Sequence, residues 1–214
     1  MNDTYKHKGQ RKRLVETLQS KGIIDSKVLE AINTVPRHFF FESGFFEHAY
    51  EDKAFPIGEG QTISQPYTVA FQTQLLNVKK GDKILEIGTG SGYQCAVLCA
   101  LGAHVVSIER KKSLHLQAEK LLNQMGHEAI LVYADGTKGF AEFAPYDGIV
   151  VTAAAPLVPE SLLDQLKIGG HIVIPVGEKE EQQMLRITKT EGYKFVKEQF
   201  GIFRFVPLIG DEGW

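Results

Sequence analysis

The sequence predicts an α/β fold: a doubly wound, mostly parallel sheet, preceded by a helical extension and finished by an antiparallel hairpin at the sheet edge. Three observations predict it. From residue 81 onward, short apolar runs alternate with stretches of helical spacing, as strands joined by crossover helices do. A turn with three glycines closes the first apolar run and opens a helix. The tail, by contrast, holds two β-type segments with Gly192 between them and no helix. A chain of 214 residues is long enough for one domain with a sizeable core. We read residues 1–214 as one domain, with helices and an irregular loop over 1–77 and the sheet over 78–214.

The elements follow in order. Residues 10–20 and 26–35 have helical spacing, with Asp25 or Ser26 as N-cap of the second helix and Pro36 ending it. Residues 37–65 read as a long irregular loop, rich in aromatics and then in Pro56, Gly58 and Gly60; such a loop inside a compact chain is functional more often than idle. Pro66 suits the first turn of a helix reaching Asn77. Strands are expected at 83–87, 104–109, 129–134, 146–154 and 171–176, and helices at 91–101, 112–125 and 159–167.

Composition excludes several classes. With 24 Lys+Arg against 26 Asp+Glu, net charge does not mark a nucleic-acid binder. No apolar run spans a membrane, and the polar start MNDTYKHKGQRKR lacks the apolar stretch of a signal peptide, so a cytoplasmic protein is expected. The basic cluster Lys6, Lys8, Arg11, Lys12 and Arg13 reads as a solvated helix end. Cys95 and Cys99, four apart, share one helix face and read as small buried hydrophobes; no second pair completes a zinc site, the seven His are scattered, and no metal site is expected.

The 21 glycines exceed the usual ~7%, and three lie in Leu85-Glu86-Ile87-Gly88-Thr89-Gly90-Ser91-Gly92-Tyr93. Such glycines allow a sharp turn and close approach of a ligand to the backbone. The spacing Gly88, Gly90, Gly92 is not the Gly-x-Gly-x-x-Gly of dinucleotide sites; with Glu86 two residues earlier it is the pattern of Rossmann-like methyltransferases that use S-adenosyl-L-methionine (AdoMet). Glu109, 21 residues after Gly88 and ending the second strand, is placed to accept ribose hydroxyls. Asp135-Gly136 follows the third strand, where an adenine amine could be met. Acids after three successive strands around one glycine loop make a strong combination.

The segment before the loop points to the methyl acceptor. Val35-Pro36-Arg37-His38-Phe39, Ala49-Tyr50-Glu51-Asp52 and the run from Ile57 to Tyr67 resemble the protein-L-isoaspartate (D-aspartate) O-methyltransferase family. So do Val151-Thr152-Ala153-Ala154-Ala155-Pro156, Pro175-Val176-Gly177 and Phe205-Val206-Pro207-Leu208. The resemblance runs from about residue 10 to the last residue. It implies methyl transfer from AdoMet to the free α-carboxylate of L-isoaspartyl residues, and of D-aspartyl residues in some members, in damaged proteins and peptides; the ester then closes to a succinimide, which begins repair. It implies Ser64 as the active-site serine, Ile63 with the glycine loop at the cofactor, and Thr62, Ser64, Val206 and Leu208 at the substrate. Some relatives carry His at position 67 and a hydroxyl residue at 209, so no cofactor contact is carried over to Tyr67 or Ile209.

The residues agree with that chemistry. An isoaspartyl α-carboxylate, with a pKa of roughly 3.3–3.9, is ionised at neutral pH and needs no general base, and the loop around Ser64 offers none. The site must supply position. Ser64 can hold the carboxylate through its hydroxyl, or N-cap the helix that begins near Pro66, or do both. Other readings are a methyltransferase acting on RNA or a small molecule, a non-catalytic AdoMet-binding protein, and an NAD oxidoreductase. The acceptor segment, the intact glycine loop and the glycine spacing disfavour them in turn. A monomer acting on many damaged chains is the expected state.

Overall fold

In a computed structural model, residues 2–41 and 43–214 are described. The sheet is built from β3 (Lys83–Ile87), β4 (His104–Glu109), β5 (Ala129–Tyr133), β6 (Tyr146–Val151), β7 (Leu166–Gly177), β8 (Gln182–Thr190) and β9 (Lys194–Phe203). A small antiparallel pair, β1 (Phe55–Pro56) with β2 (Thr62–Ile63), lies in the expected loop region, along with two 3₁₀ turns. The strand order is β5-β4-β3-β6-β7-β8-β9. The first five strands in that order are mutually parallel; β8 and β9 run antiparallel to their neighbours. The order reverses between β3 and β6, and ligands of open α/β sheets bind beyond the carboxyl ends of the strands at such a point.

Alternation along the strands sorts side chains to two faces. Ile84, Val105, Val150 and Val173 join one buried cluster, which extends from Leu14 in the N-terminal helices to Met184. Their neighbours Leu85, Val106, Ile149 and Ile172 join the other. The first cluster lies under α1 (Tyr5–Ser20), α2 (Ser26–Thr34), α3 (Pro66–Leu76) and α4 (Tyr93–Ala100); α5 (Lys112–Gln124) packs beside α4, and α6 (Glu160–Asp164) belongs to the second. No described helix is long and apolar enough to cross a membrane.

Several boundaries differ from the sequence reading. Helix α1 begins at Tyr5 rather than 10, because Thr4 and His7 form a reciprocal cap. Asp25 is the N-cap of α2. Strand β6 stops at Val151, because Thr152–Ala155 turn away to pair with the tail and with β7: Ala154 bridges Pro207 and Ala155 bridges Val176. Helix α6 is shorter and β7 longer than expected.

The basic cluster is not uniformly solvated. Arg11 sits one helical turn from Leu14 on the inward stripe, is buried, and makes a bidentate pair with Asp3 at 3.0 and 3.1 Å. It also donates to Tyr50 Oη at 3.1 Å. Asp3, His7 and His38 approach one another closely enough to share a metal ion. Their polar atoms, however, have partners: Arg11 on Asp3, the Tyr50 hydroxyl and Asn2 carbonyl on His38, and the Thr4 amide on His7 Nδ1.

Candidate active site

A cleft opens where β3 and β6 end. Its first lobe, about 480 Å³, is lined by Thr62, Ile63 and Ser64 on one side and by Gly88, Gly90, Glu109, Thr152 and Val206 on the other. A second lobe of about 460 Å³ shares Gly88, Glu109 and Ala153 with it and continues past Gly136 to Pro207, Leu208 and Ile209.

The glycine loop owes its shape to the strand ends beneath it. Gly88 N–H and Thr89 N–H both donate to Ile108 carbonyl at the end of β4. Thr152 Oγ1 donates to the carbonyls of Ile87 and Gly88 at 2.9 and 2.6 Å. Gly88 has φ of +95°, and a Cβ there would stand 2.5 Å from Thr152 Oγ1, so no side chain fits. Gly92 lies behind the cleft as the N-cap of α4, against Ala118 and Leu122 of α5.

Glu109 is buried where the lobes meet. Its Oε2 accepts from Gly90 N–H at 2.9 Å and its Oε1 from Lys111 N–H at 2.8 Å. Each oxygen keeps a further lone pair, so the carboxylate both shapes the loop and can accept the hydroxyls of a ribose. This set, the backbone of Gly88 and Gly90 beside the Glu109 carboxylate and the apolar Ile87, Ile108 and Leu208, fits AdoMet.

Two expected cofactor acids lie elsewhere. Glu86 alternates onto the face of Ile84, and its carboxyl is enclosed under α4 near Cys95. Ser107 Oγ donates to Glu86 Oε2 at 2.5 Å, and Thr89 Oγ1 lies 2.6 Å from the same Ser107 oxygen. Glu86 thus reaches the glycine loop from below and does not line the cleft. Burial raises its pKa to about 8, so the group is largely neutral at pH 7. Asp135 faces the tail: Oδ1 accepts from Thr137 N–H and Oγ1, and Oδ2 from Asp211 N–H at 2.9 Å. Burial works to raise its pKa, but these hydrogen bonds outweigh it and leave it lowered. Asp135 tethers the segment that walls the second lobe.

Ser64 lies between β2 and α3, half-buried, and its hydroxyl bonds to none of the described residues. Helix α3 takes Gln65 as N-cap without a side-chain cap bond, so Ser64 does not cap it. The capping acceptor comes from further away, since Asp52 Oδ1 takes Tyr67 N–H at 2.8 Å. Asp52 also holds Gln65 Nε2 and pairs with Lys21. Tyr67 stacks on Phe71 and Phe203, away from both lobes. Opposite Ser64, Val206 carbonyl accepts from Ala154 N–H at 2.8 Å, Leu208 N–H donates to Ala154 carbonyl at 2.6 Å, and Trp214 Nε1 donates to the same carbonyl.

Sequence reasoning missed Gln61, Tyr93 and Gln94 in the wall, and Arg37 behind it. Tyr93 and Gln94 open the helix after the glycine loop, and that position was the available signal. Nothing in the spacing marks Arg37.

Comparison with known proteins agrees with this geometry. Residues 9–213 match the family described as protein-L-isoaspartate(D-aspartate) O-methyltransferase. The chain is 56% identical over 214 residues to a protein-L-isoaspartate O-methyltransferase of Cytophaga hutchinsonii, covering all of this chain and 97% of that one. It is 57% identical over 213 residues to that of Flavobacterium psychrophilum, covering 99% and 100%. A solved protein-L-isoaspartate O-methyltransferase superposes with a TM-score of 0.86 at 32% identity, over 95% of this chain and 67% of that one. A Plasmodium falciparum structure, described as such an enzyme in complex with S-adenosyl-L-homocysteine, gives 0.81 at 26% identity over 95% and 98%. By sequence along its length and by fold, the chain belongs to the protein-L-isoaspartate (D-aspartate) O-methyltransferase family.

Proposed function

We propose that the first lobe of the cleft, between Ser64 and the glycine loop, is where the α-carboxylate of an isoaspartyl residue is methylated. The chain is an AdoMet-dependent protein-L-isoaspartate O-methyltransferase that acts on damaged proteins and peptides and initiates their repair through a succinimide. AdoMet supplies a methyl group made electrophilic by its sulfonium. Gly88 and Gly90 would give it backbone to lie against, Glu109 would accept its ribose hydroxyls, and Ile63 and Gly136 would border it in the first and second lobes. Glu86 and Asp135 act indirectly, the first by propping Thr89 and the second by tethering the tail.

The acceptor arrives ionised, so the residues around it need move no proton. Ser64 donates its hydroxyl hydrogen to the carboxylate and fixes its direction; Thr62, Val206 and Leu208 border the path of the peptide. The observation that carries this reading is the Ser64 hydroxyl, without a partner among the described residues, in the same lobe as the glycine loop and Glu109. Holding reactants at roughly 3–3.5 Å in line is worth several kcal/mol of barrier. We assign the enzyme to the cytoplasm, acting as a monomer, with 1–77 and 78–214 forming one domain.

The test compares an isoaspartyl peptide with its normal aspartyl twin. The expected outcome is methylation of the first alone, with the incorporated methyl released by mild alkali as an ester is. An alkali-stable product, or equal labelling of both peptides, would refute the substrate. Ser64→Ala is expected to keep AdoMet affinity and lose kcat; near-normal kinetics would remove Ser64 from the site.

A further inference from the structure

Arg37 is the largest fully buried side chain outside the cleft wall, with 0% of its surface exposed. An enclosed guanidinium ordinarily needs a carboxylate, yet among the described residues none lies within salt-bridge distance of it; the Asp52 charge acts only from further off. Backbone carbonyls instead take up Nε and Nη2, while Nη1 is buried without a hydrogen-bond partner among the described residues. Nε–H donates to Ala49 carbonyl at 3.0 Å, and Nη2–H donates to Ser64 carbonyl at 2.9 Å and, at 3.5 Å, to Lys53 carbonyl. Its Cζ also stands 4.6 Å from the Tyr93 ring centre and 5.3 Å from that of Phe41. Burial brings its pKa down to about 10, so it keeps its charge at neutral pH.

These partners belong to separate parts of the site. Ser64 is the acceptor-side serine. Ala49 and Lys53 flank Asp52, whose carboxylate caps α3 immediately after Ser64. Tyr93 is the first residue of the helix that leaves the glycine loop, and it lines the same lobe as Ser64. The guanidinium plane is therefore a shared reference for the loop that presents the acceptor and the loop that cradles the cofactor.

We infer that Arg37 is a positioning residue: by gripping the Ser64 carbonyl while stacked on Tyr93, it sets the distance between the acceptor hydroxyl and the cofactor loop. The inference rests on the proposed role of Ser64. A point-charge ammonium cannot reproduce a planar fork that reaches three carbonyls, so even Arg37→Lys should shift Ser64. A misplacement near 1 Å can cost about a hundredfold in rate.

The experiment measures kcat and KM on an isoaspartyl peptide for Arg37→Lys and Arg37→Met, normalised to the fraction of protein that binds AdoMet in calorimetry. The methionine keeps the apolar contacts with Tyr93 and Phe41 in case the lysine folds poorly. The expected result is an AdoMet Kd within threefold of the parent, a kcat reduced about 10- to 100-fold, and the lysine variant the more active of the two. Each change is repeated in a Ser64→Ala chain. If Arg37 works through Ser64, it costs little further there. Full additivity, a normal kcat per AdoMet-binding site, or loss of AdoMet binding in both variants would each overturn the inference, the last making Arg37 a residue of the fold. Near-normal kinetics of Ser64→Ala alone would instead overturn the role of Ser64.

Discussion

Glu86 should make the fold less stable as pH rises, and the size of the effect can be worked from its surroundings. In the folded chain its carboxyl has one hydrogen-bonding partner for Oε2, while Oε1 is buried without one. Burial, with the negative potential of Glu109 as a lesser contribution, raises the pKa from 4.5 to about 8. The folded state then binds a proton more tightly than the unfolded one, so the group costs nothing well below pH 4.5. The cost grows between the two values and levels off above the folded pKa. Between pH 5 and pH 8 the linkage integral comes to roughly 3–4 kcal/mol, a large share of an ordinary folding free energy. Glu86→Gln keeps the shape and an acceptor for the Ser107 hydroxyl but cannot ionise. Urea unfolding of both proteins at half-unit steps of pH is the assay, with the difference between them plotted against pH. The variant should gain on the parent steadily from pH 5 to 8. Two parallel curves would refute the reasoning and mean that water or a rearranged Cys95 solvates the carboxylate when it forms.

Two further outcomes follow from the same contacts. Gly88→Ala forces a side chain into left-handed backbone, a strain of about 1–3 kcal/mol, and drives it into Thr152 Oγ1. The variant should unfold at lower urea and lose AdoMet affinity in calorimetry, and adding Thr152→Ala should recover part of the loss by relieving the contact alone. Asp135→Ala removes the acceptor of the Asp211 and Thr137 amides. It should cost about 1–2 kcal/mol and speed hydrogen exchange over residues 208–214. Because the Asp135 pKa is lowered in the fold, its contribution is complete above its unfolded value and is lost as pH falls through the folded one.

How far the sequence carried these conclusions differs from residue to residue. The alternation from residue 81, the glycine turn and the tail hairpin are built from local signals, each carried by residues close in sequence, and they correspond to β3–β9 and the helices between them. Arg11 could have been read correctly, since it shares helical spacing with Leu14 and Leu18 on the buried stripe. Glu86 likewise: period-two alternation puts it on the face of Ile84, under α4, and its closeness to the glycines distracted from that. Asp135 and Arg37 had no such signal. The partner of the first is 76 residues away, and the second is held by main-chain carbonyls, which every residue possesses.

The placement of Arg37 also bears on why a carboxyl methyltransferase presents a serine at its acceptor side. A guanidinium in direct contact with the acceptor would hold the ionised carboxylate by roughly 1.5–3 kcal/mol. That carboxylate loses charge as it reacts, so about half of such a grip would be forfeited at the transition state, slowing the step by around fourfold to tenfold. A neutral hydroxyl loses far less. In this chain the cation is present but sits behind the Ser64 carbonyl, which takes up one of its N–H groups. Two other carbonyls and the faces of Tyr93 and Phe41 absorb much of the remainder. The arrangement keeps the geometric rigidity of an arginine fork while withholding its charge from the anion. Adding a second guanidinium on the cleft side of that carbonyl, as in Ser64→Arg, should therefore tighten binding of an isoaspartyl peptide and lower kcat, whereas weaker binding together with lower kcat would mean that the lobe has no carboxylate to meet.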